Sequence, residues 1–595
     1  MKHPRSIVVL DFGGQYAHLI ASRVRRFGFY SEIRPPETPA SELAKAAGII
    51  LSGGPQSVYD KGSPQADPNI FDLGIPVLGL CYGLHWIAQT LGGKVSSGHV
   101  KEYGKTPIHI IGKQSQLFKG INGDCTVWMS HGDEASELPR GFSRIATSET
   151  CQNAAFSDEA RRIFALQFHP EVTHSENGLV MLRNFVDLCE AAPWSMQGYA
   201  SLVGDEIKRD VGDRKVFMLV SGGVDSTVAF VLLNQVLGRH RVEGLLVDTG
   251  LMRKDEVKLI QDAFTKLKID NLHAVDASEE FFAKLKGVND PERKRKAIGD
   301  TFLDVQKQVG DSMNISVSDK WMLGQGTIYP DTIETGGTKH SDHIKTHHNR
   351  VKAVQDMIDA GLVIEPLKDL YKDEVRMLGE ELGLPKELVW RHPFPGPGLG
   401  VRILCGEAAA PTEEAVLSVD LPHLVLPVRS VGVQGDGRTY RLAVAMFNSK
   451  PYTVTDELID LATTIPNTHR TLNRVLLCTS HTKPFTPVFT PGYVDRVRAD
   501  LLREADAIVT EEIQEPALYD AIWQFPVVLL PVGTKKGGQS IVLRPISSHD
   551  AMTANAVALP EAVLKRITQR ILKLEGIDAV FLDLTSKPPG TIEWE

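Results

Sequence analysis

"VFMLVSGGVDSTVAFVLL", Val216 to Leu233, decides how this chain is read. An apolar run enters a glycine–serine turn and leaves as a second apolar run, the pattern of a strand feeding a helix through a phosphate-binding loop. A Walker A loop carries a lysine after its glycines, and none stands here. "SGGVDS" instead offers the backbone N–H groups of Gly222, Gly223 and Val224, the hydroxyls of Ser221 and Ser226, and the carboxylate of Asp225 for a metal ion. Nothing in it replaces the lysine that reaches a γ-phosphate. The loop suits pyrophosphate as a leaving group, with attack at the α-phosphate. Downstream, "LLVDTGLMRK" brings Asp248 and Thr249 to a second strand end, where a ribose or adenine edge can be read.

A second constellation lies upstream. "GIPVLGLCYGLHWIAQTLGG" sets Cys81 between a strand and an amphipathic helix, flanked by Gly79 and Gly83. G-x-C-x-G is the cysteine counterpart of the nucleophile elbow, and the adjoining helix N-terminus favours a thiolate. "FALQFHPEV" then supplies His169 as the proton-exchanging partner and Glu171 to hold its imidazole, both at a strand's C-terminal end.

The 595 residues exceed what one core usually serves, so several domains are expected. Hydrophobic residues at 42% and charged residues at 23% are the balance of a globular protein. A net charge of −9 argues against nucleic acid as a partner. Six scattered cysteines without C-x-x-C read as reduced thiols, and no run approaches a membrane span. A cytoplasmic location is expected.

Alternating strand and helix patterns predict a doubly wound α/β domain over 1–192 and a second over 200–402. Residues 403–595 read as an α+β region. There "VLPV" recurs as "LLPV" and "NRVLLCTSHTKP" as "DAVFLDLTSKPP", with the same spacing from Pro427 to Pro484 as from Pro531 to Pro588. That region therefore reads as a duplicated module.

The elbow and H-P-E resemble the class I glutamine amidotransferases, whose Cys-His-Glu triad frees ammonia from glutamine. The resemblance implies an oxyanion hole from Gly53 and Gly54 of "LSGGP" with the N–H of Tyr82. His85 departs, since that family usually has glutamine there. "SGGVDS" resembles the pyrophosphate loop of the adenylating ATP pyrophosphatases.

The order of parts, with "RHPFPGPGLGVR" and "SKPPGTIEWE", resembles the GMP synthetase family. That resemblance implies XMP, ATP and glutamine as substrates, Mg²⁺ with the ATP, and no prosthetic group. It implies XMP contacts at Arg295, Asp436, Gln524, Lys587 and Glu593. A lid would carry Asp331, Glu334, Lys345, His347 and His348. The duplicated module implies that a monomer suffices, with a homodimer as the alternative. Another adenylating amidotransferase, or a silent nucleotide and glutamine sensor, remains open from the residues alone.

Overall fold

Short runs rich in Val, Ile and Leu make parallel strands buried on both faces, because helices cover each side and no polar alternation is needed. The computed structural model describes residues 5–595 apart from 15, 113, 173, 314, 316–319, 330, 332–351, 413–416, 418, 435–436 and 549–553. These residues divide into two compact units. The first draws on Met1–Glu206, Thr327–Gly361 and Glu365–Glu381. The second draws on Ile207–Gly326, Leu362–Ile364 and Leu382–Glu595.

In the first unit the described residues form a nine-stranded sheet. Its strands are β1 (Ile7–Leu10), β2 (Ser31–Arg34), β3 (Gly48–Leu51), β4 (Val77–Leu80), β5 (Lys94–Ile110), β6 (Cys125–Glu137), β7 (Ser143–Thr147), β8 (Ala155–Asp158) and β9 (Ile163–Leu166). Their order is β2-β1-β3-β4-β9-β8-β7-β5-β6. The run from β2 to β9 is parallel, and β8 turns the sheet antiparallel. The strands expected before Cys81 and before His169 are β4 and β9. Helix α1 (Ala17–Arg26) presents Ile20, Ala21 and Val24 to the core. Its Arg25 is buried, pairs with Glu374 at 2.9 Å, and lies over the rings of Tyr30, Tyr329 and Tyr371. This cluster seats residues 365–381 in the first unit.

The second unit begins with a five-stranded, all-parallel sheet in the order β12-β11-β10-β13-β14. These are β10 (Lys215–Leu219), β11 (Val242–Asp248), β12 (Leu272–Asp276), β13 (Trp321–Gly324) and β14 (Val363–Ile364). The chain reverses direction across the sheet between β10 and β13, the switch point where open α/β sheets bind ligands.

The predicted repeat is visible as topology. β15 (His423–Gln434) pairs antiparallel with β16 (Gly437–Met446), which pairs parallel with β17 (Leu472–Cys478) after the helix Asp456–Thr468. Strand Val527–Leu530 pairs antiparallel with Gln539–Leu543, and that strand parallel with Ile577–Asp583 after the helix Glu561–Ile571. The copies join antiparallel through β17 and Ile577–Asp583, so the six-stranded sheet reads the same from either edge. Corresponding polar ties also recur: Ser430 Oγ donates to Asn473 at 2.7 Å, and Thr534 N donates to Asp578 at 3.0 Å.

One apolar cluster runs from Phe217, Leu245 and Val247 through to Leu442, Val475 and Leu543, so the five- and six-stranded sheets of this unit share a core. Among the described residues, no helix is long and apolar enough to cross a membrane. All six cysteines are free.

At the seam, the fully buried Asp583 pairs with Arg474 at 3.0 Å and Arg544 at 2.8 Å. Burial works against its charge, but the two guanidiniums outweigh it and hold the carboxyl below its usual range. Its stabilisation is therefore present above the ordinary carboxylate pKa and lost as pH falls through the lower folded value. Asp583→Asn strips two buried cations of their counter-charge and should cost about 3–5 kcal/mol in urea unfolding.

Candidate active sites

Cys81 is placed by its neighbours in space rather than by its own preference. It stands between β4 and the helix Tyr82–Thr90 at φ 51°, ψ −104°, a conformation that strains an L-residue. The flanking glycines leave room for the turn. A Cβ on Gly79 would lie 2.6 Å from the Gly83 carbonyl, and one on Gly83 2.5 Å from Leu51 O. Cys81 N donates to Leu166 O at 2.8 Å, which ties the elbow to the end of β9. The chain from β9 then carries His169 to the thiol.

His169 Nδ1 donates to Glu171 Oε1 at 2.8 Å, and both residues are buried. Burial disfavours the imidazolium, yet the Glu171 charge and the bond to Cys81 outweigh it and lift His169 to about 10. Gly53 faces the same point, since an added Cβ would meet His169 Cε1 at 3.0 Å and Cys81 Cβ at 3.7 Å. Gly54 packs on Phe12 O and the Tyr82 ring. Tyr82 opens its helix, so its N–H has no acceptor within that helix. The structure thus brings Cys81, His169, Glu171, Gly53, Gly54 and Tyr82 together.

Tyr16, Arg23 and Ser130, which carry no sequence motif, also stand against the triad. The Tyr16 ring stands edge-on to His169 at 5.0 Å, and Arg23 Nε donates to Glu171 O at 3.3 Å. The Cys81 thiol reaches Ser130 O at 3.5 Å. His85, one turn after Cys81, bonds Gln167 Oε1 at 2.9 Å. Burial pulls His85 down to about 4, so it is neutral near pH 7. Glu102, His131 and Cys151 hold one potential ligand atom each within 4.8 Å of one another. Hydrogen bonds already fill that group: Ser148, Thr150 and His131 all bond Glu102, and His131 Nδ1 bonds Asp133 O. Burial also pushes the Cys151 thiol up to about 12. It is a structural knot rather than an open metal seat.

In the second unit the predicted loop lies at the C-terminal end of β10. Gly222 has φ 82°, and a Cβ there would lie 2.9 Å from Met252 Cε. The Ser221 and Ser226 hydroxyls are 3.1 Å apart, and those of Ser226 and Thr227 donate to Gly223 O. Val224 and Asp225 then open a helix that runs to Leu237, with its first N–H groups at the loop. Gly326 packs against this turn, since a Cβ on it would lie 2.8 Å from Ser226 N. Asp248 ends β11 and accepts from Gly250 N at 2.8 Å. Asp225 supplies the hard carboxylate oxygen that Mg²⁺ takes, beside N–H groups suited to an anion, so the donor set fits that ion.

The tail forms a further polar group. Glu593 accepts both prongs of Arg402 at 3.0 and 2.9 Å and the Gln524 amide at 3.1 Å. Arg295 donates to Glu595 O at 2.5 Å. Lys587 exchanges backbone hydrogen bonds with Ala554. Gln524 and Glu593 therefore meet, around an arginine the sequence reading passed over. Asp331, in the first unit, accepts from Ile328 N at 3.1 Å. Glu334, Lys345, His347, His348 and Asp436 lie outside the described residues.

Residues 8–189 match the family described as Glutamine amidotransferase class-I, and residues 511–594 match GMP synthase C terminal domain. The chain is 48% identical to the Probable GMP synthase (glutamine-hydrolyzing) of Leptospira interrogans, over 99% of each chain. It is 40% identical to the GMP synthase (glutamine-hydrolyzing) of Streptomyces coelicolor, over 100% of this chain and 98% of that one. This chain belongs to the glutamine-hydrolyzing GMP synthase family. Within it, Gly53, Cys81, His169 and Glu171 fall in the matched amidotransferase segment, and Gln524, Lys587 and Glu593 in the matched C-terminal one.

Removing the carboxylate tests the triad geometry. Glu171→Gln takes away the largest influence raising His169, so its titration midpoint should fall well below about 10 by NMR. Glutamine hydrolysis should drop about 10²–10⁴-fold while the fold is kept. An unmoved midpoint would contradict the arrangement.

Proposed function

We propose that the chain makes GMP from XMP, with glutamine as nitrogen source and ATP as the adenylating agent. Glutamate, AMP and pyrophosphate are the other products. The observation that carries this reading is one chain holding both an elbow cysteine paired with a Glu-oriented histidine and a lysine-free pyrophosphate loop. A source of ammonia beside an adenylating site implies amination of an activated oxygen.

In the first unit, the Cys81 thiolate adds to the carboxamide carbon of glutamine. The N–H of Tyr82, with Gly53 and Gly54, receives the oxyanion. His169 gives a proton to the departing ammonia and then takes one from the water that releases glutamate. Glu171 keeps the imidazole in orientation throughout.

In the second unit, Ser221–Ser226 grip the pyrophosphate end of ATP, and Asp248 reads the nucleoside. XMP attacks the α-phosphate through O2, and ammonia displaces AMP at C2. Mg²⁺ bound at Asp225 would offset charge on the departing pyrophosphate. For XMP we retain Arg295, Asp436, Gln524, Lys587 and Glu593, and for a lid Asp331, Glu334, Lys345, His347 and His348. Glu593 can meet XMP only by sharing or leaving its grip on Arg402.

We place the enzyme in the cytoplasm, without nucleic-acid or membrane partners. The palindromic sheet supports a working monomer, because the second module copy fills the position a partner copy would take. Sedimentation should show a monomer at micromolar concentration; an obligate dimer through the C-terminal sheet would overturn this.

The decisive assay is GMP formation from XMP, ATP and Mg²⁺ with glutamine or ammonium. Cys81→Ala should abolish the glutamine-driven rate and leave the ammonium-driven rate within about twofold. If the unaltered chain makes no GMP from either source, the acceptor is not XMP.

A further inference from the structure

Asp506 lies buried on the helix Arg496–Glu512 of the second unit, between two guanidiniums that do not quite reach it. Its carboxylate is 3.8 Å from Arg402 Nη1 and, on the other oxygen, 3.7 Å from Arg253 Nε. Both distances exceed a hydrogen bond. Arg402 Nη1 and Arg253 Nε are themselves buried with no hydrogen-bond partner among the described residues. The Asp506 carboxylate accepts no hydrogen bond from those residues either. Buried polar groups left slack in this way are costly, so the arrangement calls for a use.

Arg402 places its other two donors on Glu593, through Nε at 3.0 Å and Nη2 at 2.9 Å. Burial works against the Arg402 charge, and Glu593, ahead of Asp506, outweighs it. Arg402 is fully buried, so a ligand that takes Glu593 away would strand a cation in the interior. Asp506 is the second carboxylate within reach of it. The Phe394 ring packs on both guanidiniums, 4.9 Å from Arg402 and 4.5 Å from Arg253. It holds a flat cation without fixing which carboxylate that cation bonds. Closing 3.8 Å to hydrogen-bond length is a move of about 1 Å, within the range of a side-chain rotation.

We propose that Asp506 is a positioning residue of the XMP site, which receives Arg402 when Glu593 turns to the ligand. The inference rests on the reading of Glu593 as an XMP contact. Arg402 holds Glu593 in place before the ligand arrives, and Asp506 gives Arg402 a counter-charge afterwards.

Ammonium-driven GMP formation tests this on the full chain. In Asp506→Asn, Arg402 has only Glu593, so KM for XMP should rise about 10-fold or more while KM for ATP stays within about twofold. Asp506→Glu keeps the charge and spans the slack, so its KM for XMP should stay within about threefold of the unaltered chain. A lower urea midpoint with an unchanged KM for XMP in Asp506→Asn would make Asp506 structural only and overturn the proposal. A structure of the unaltered chain with XMP bound should bring Arg402 within about 3.2 Å of Asp506. Both prongs still on Glu593 in that complex would overturn the proposal without recourse to a variant. If the unaltered chain binds no XMP, the acceptor reading itself fails and takes this inference with it. XMP binding without the exchange strikes this inference alone.

Discussion

The structure of the first unit turns on how closely backbone can approach backbone around Cys81. The thiol is useful only at a sharp turn, and that turn exists only because Gly79 and Gly83 leave no side chain between β4, β3 and the following helix. With those approaches made, Cys81 N locks to the end of β9, and the next residues of that chain cannot avoid delivering His169 and Glu171. Strain at one residue is thus held by a whole parallel sheet. The buried Glu171 then makes a cation of His169 attainable in a place where burial alone would forbid it.

The second unit joins an all-parallel sheet to an α+β C-terminal region. Its two larger sheets share an apolar core, so the loop after β10 and the tail at Glu593 belong to one compact body. The two halves of the C-terminal region share one strand topology and meet through β17 and Ile577–Asp583. The two halves differ in their buried charge. Asp583 sits between Arg474 and Arg544, and Ala579 takes the register position in the second half that Arg474 takes in the first.

Much of this was legible in the chain itself. Strand runs, the glycine signatures, His169 and Glu171 two residues apart, and the repeat all depend on local spacing, and local spacing survives folding. The supports were less legible. Arg402 looked like the end of a Pro/Gly loop, yet it is fully buried and clasps Glu593 from across the unit. His85 stands out in the sequence as a departure from the family's usual glutamine, and only the structure shows its ring tied to Gln167. Arg23 and Tyr16 carried no motif, and only the packing of α1 sets them against the triad.

By itself, the sequence determined the glycine-flanked turn at Cys81, the lysine-free turn after β10 and the strands that echo one another in the last third, because each is written in residues close along the chain. Tertiary structure alone decided which buried charges face one another and where residues 365–381 pack. It also decided that Arg402 and Asp506, distant in the chain, stand beside one another. The physical reason is that electrostatic partners are chosen by burial and distance, and neither exists until the chain has closed on itself.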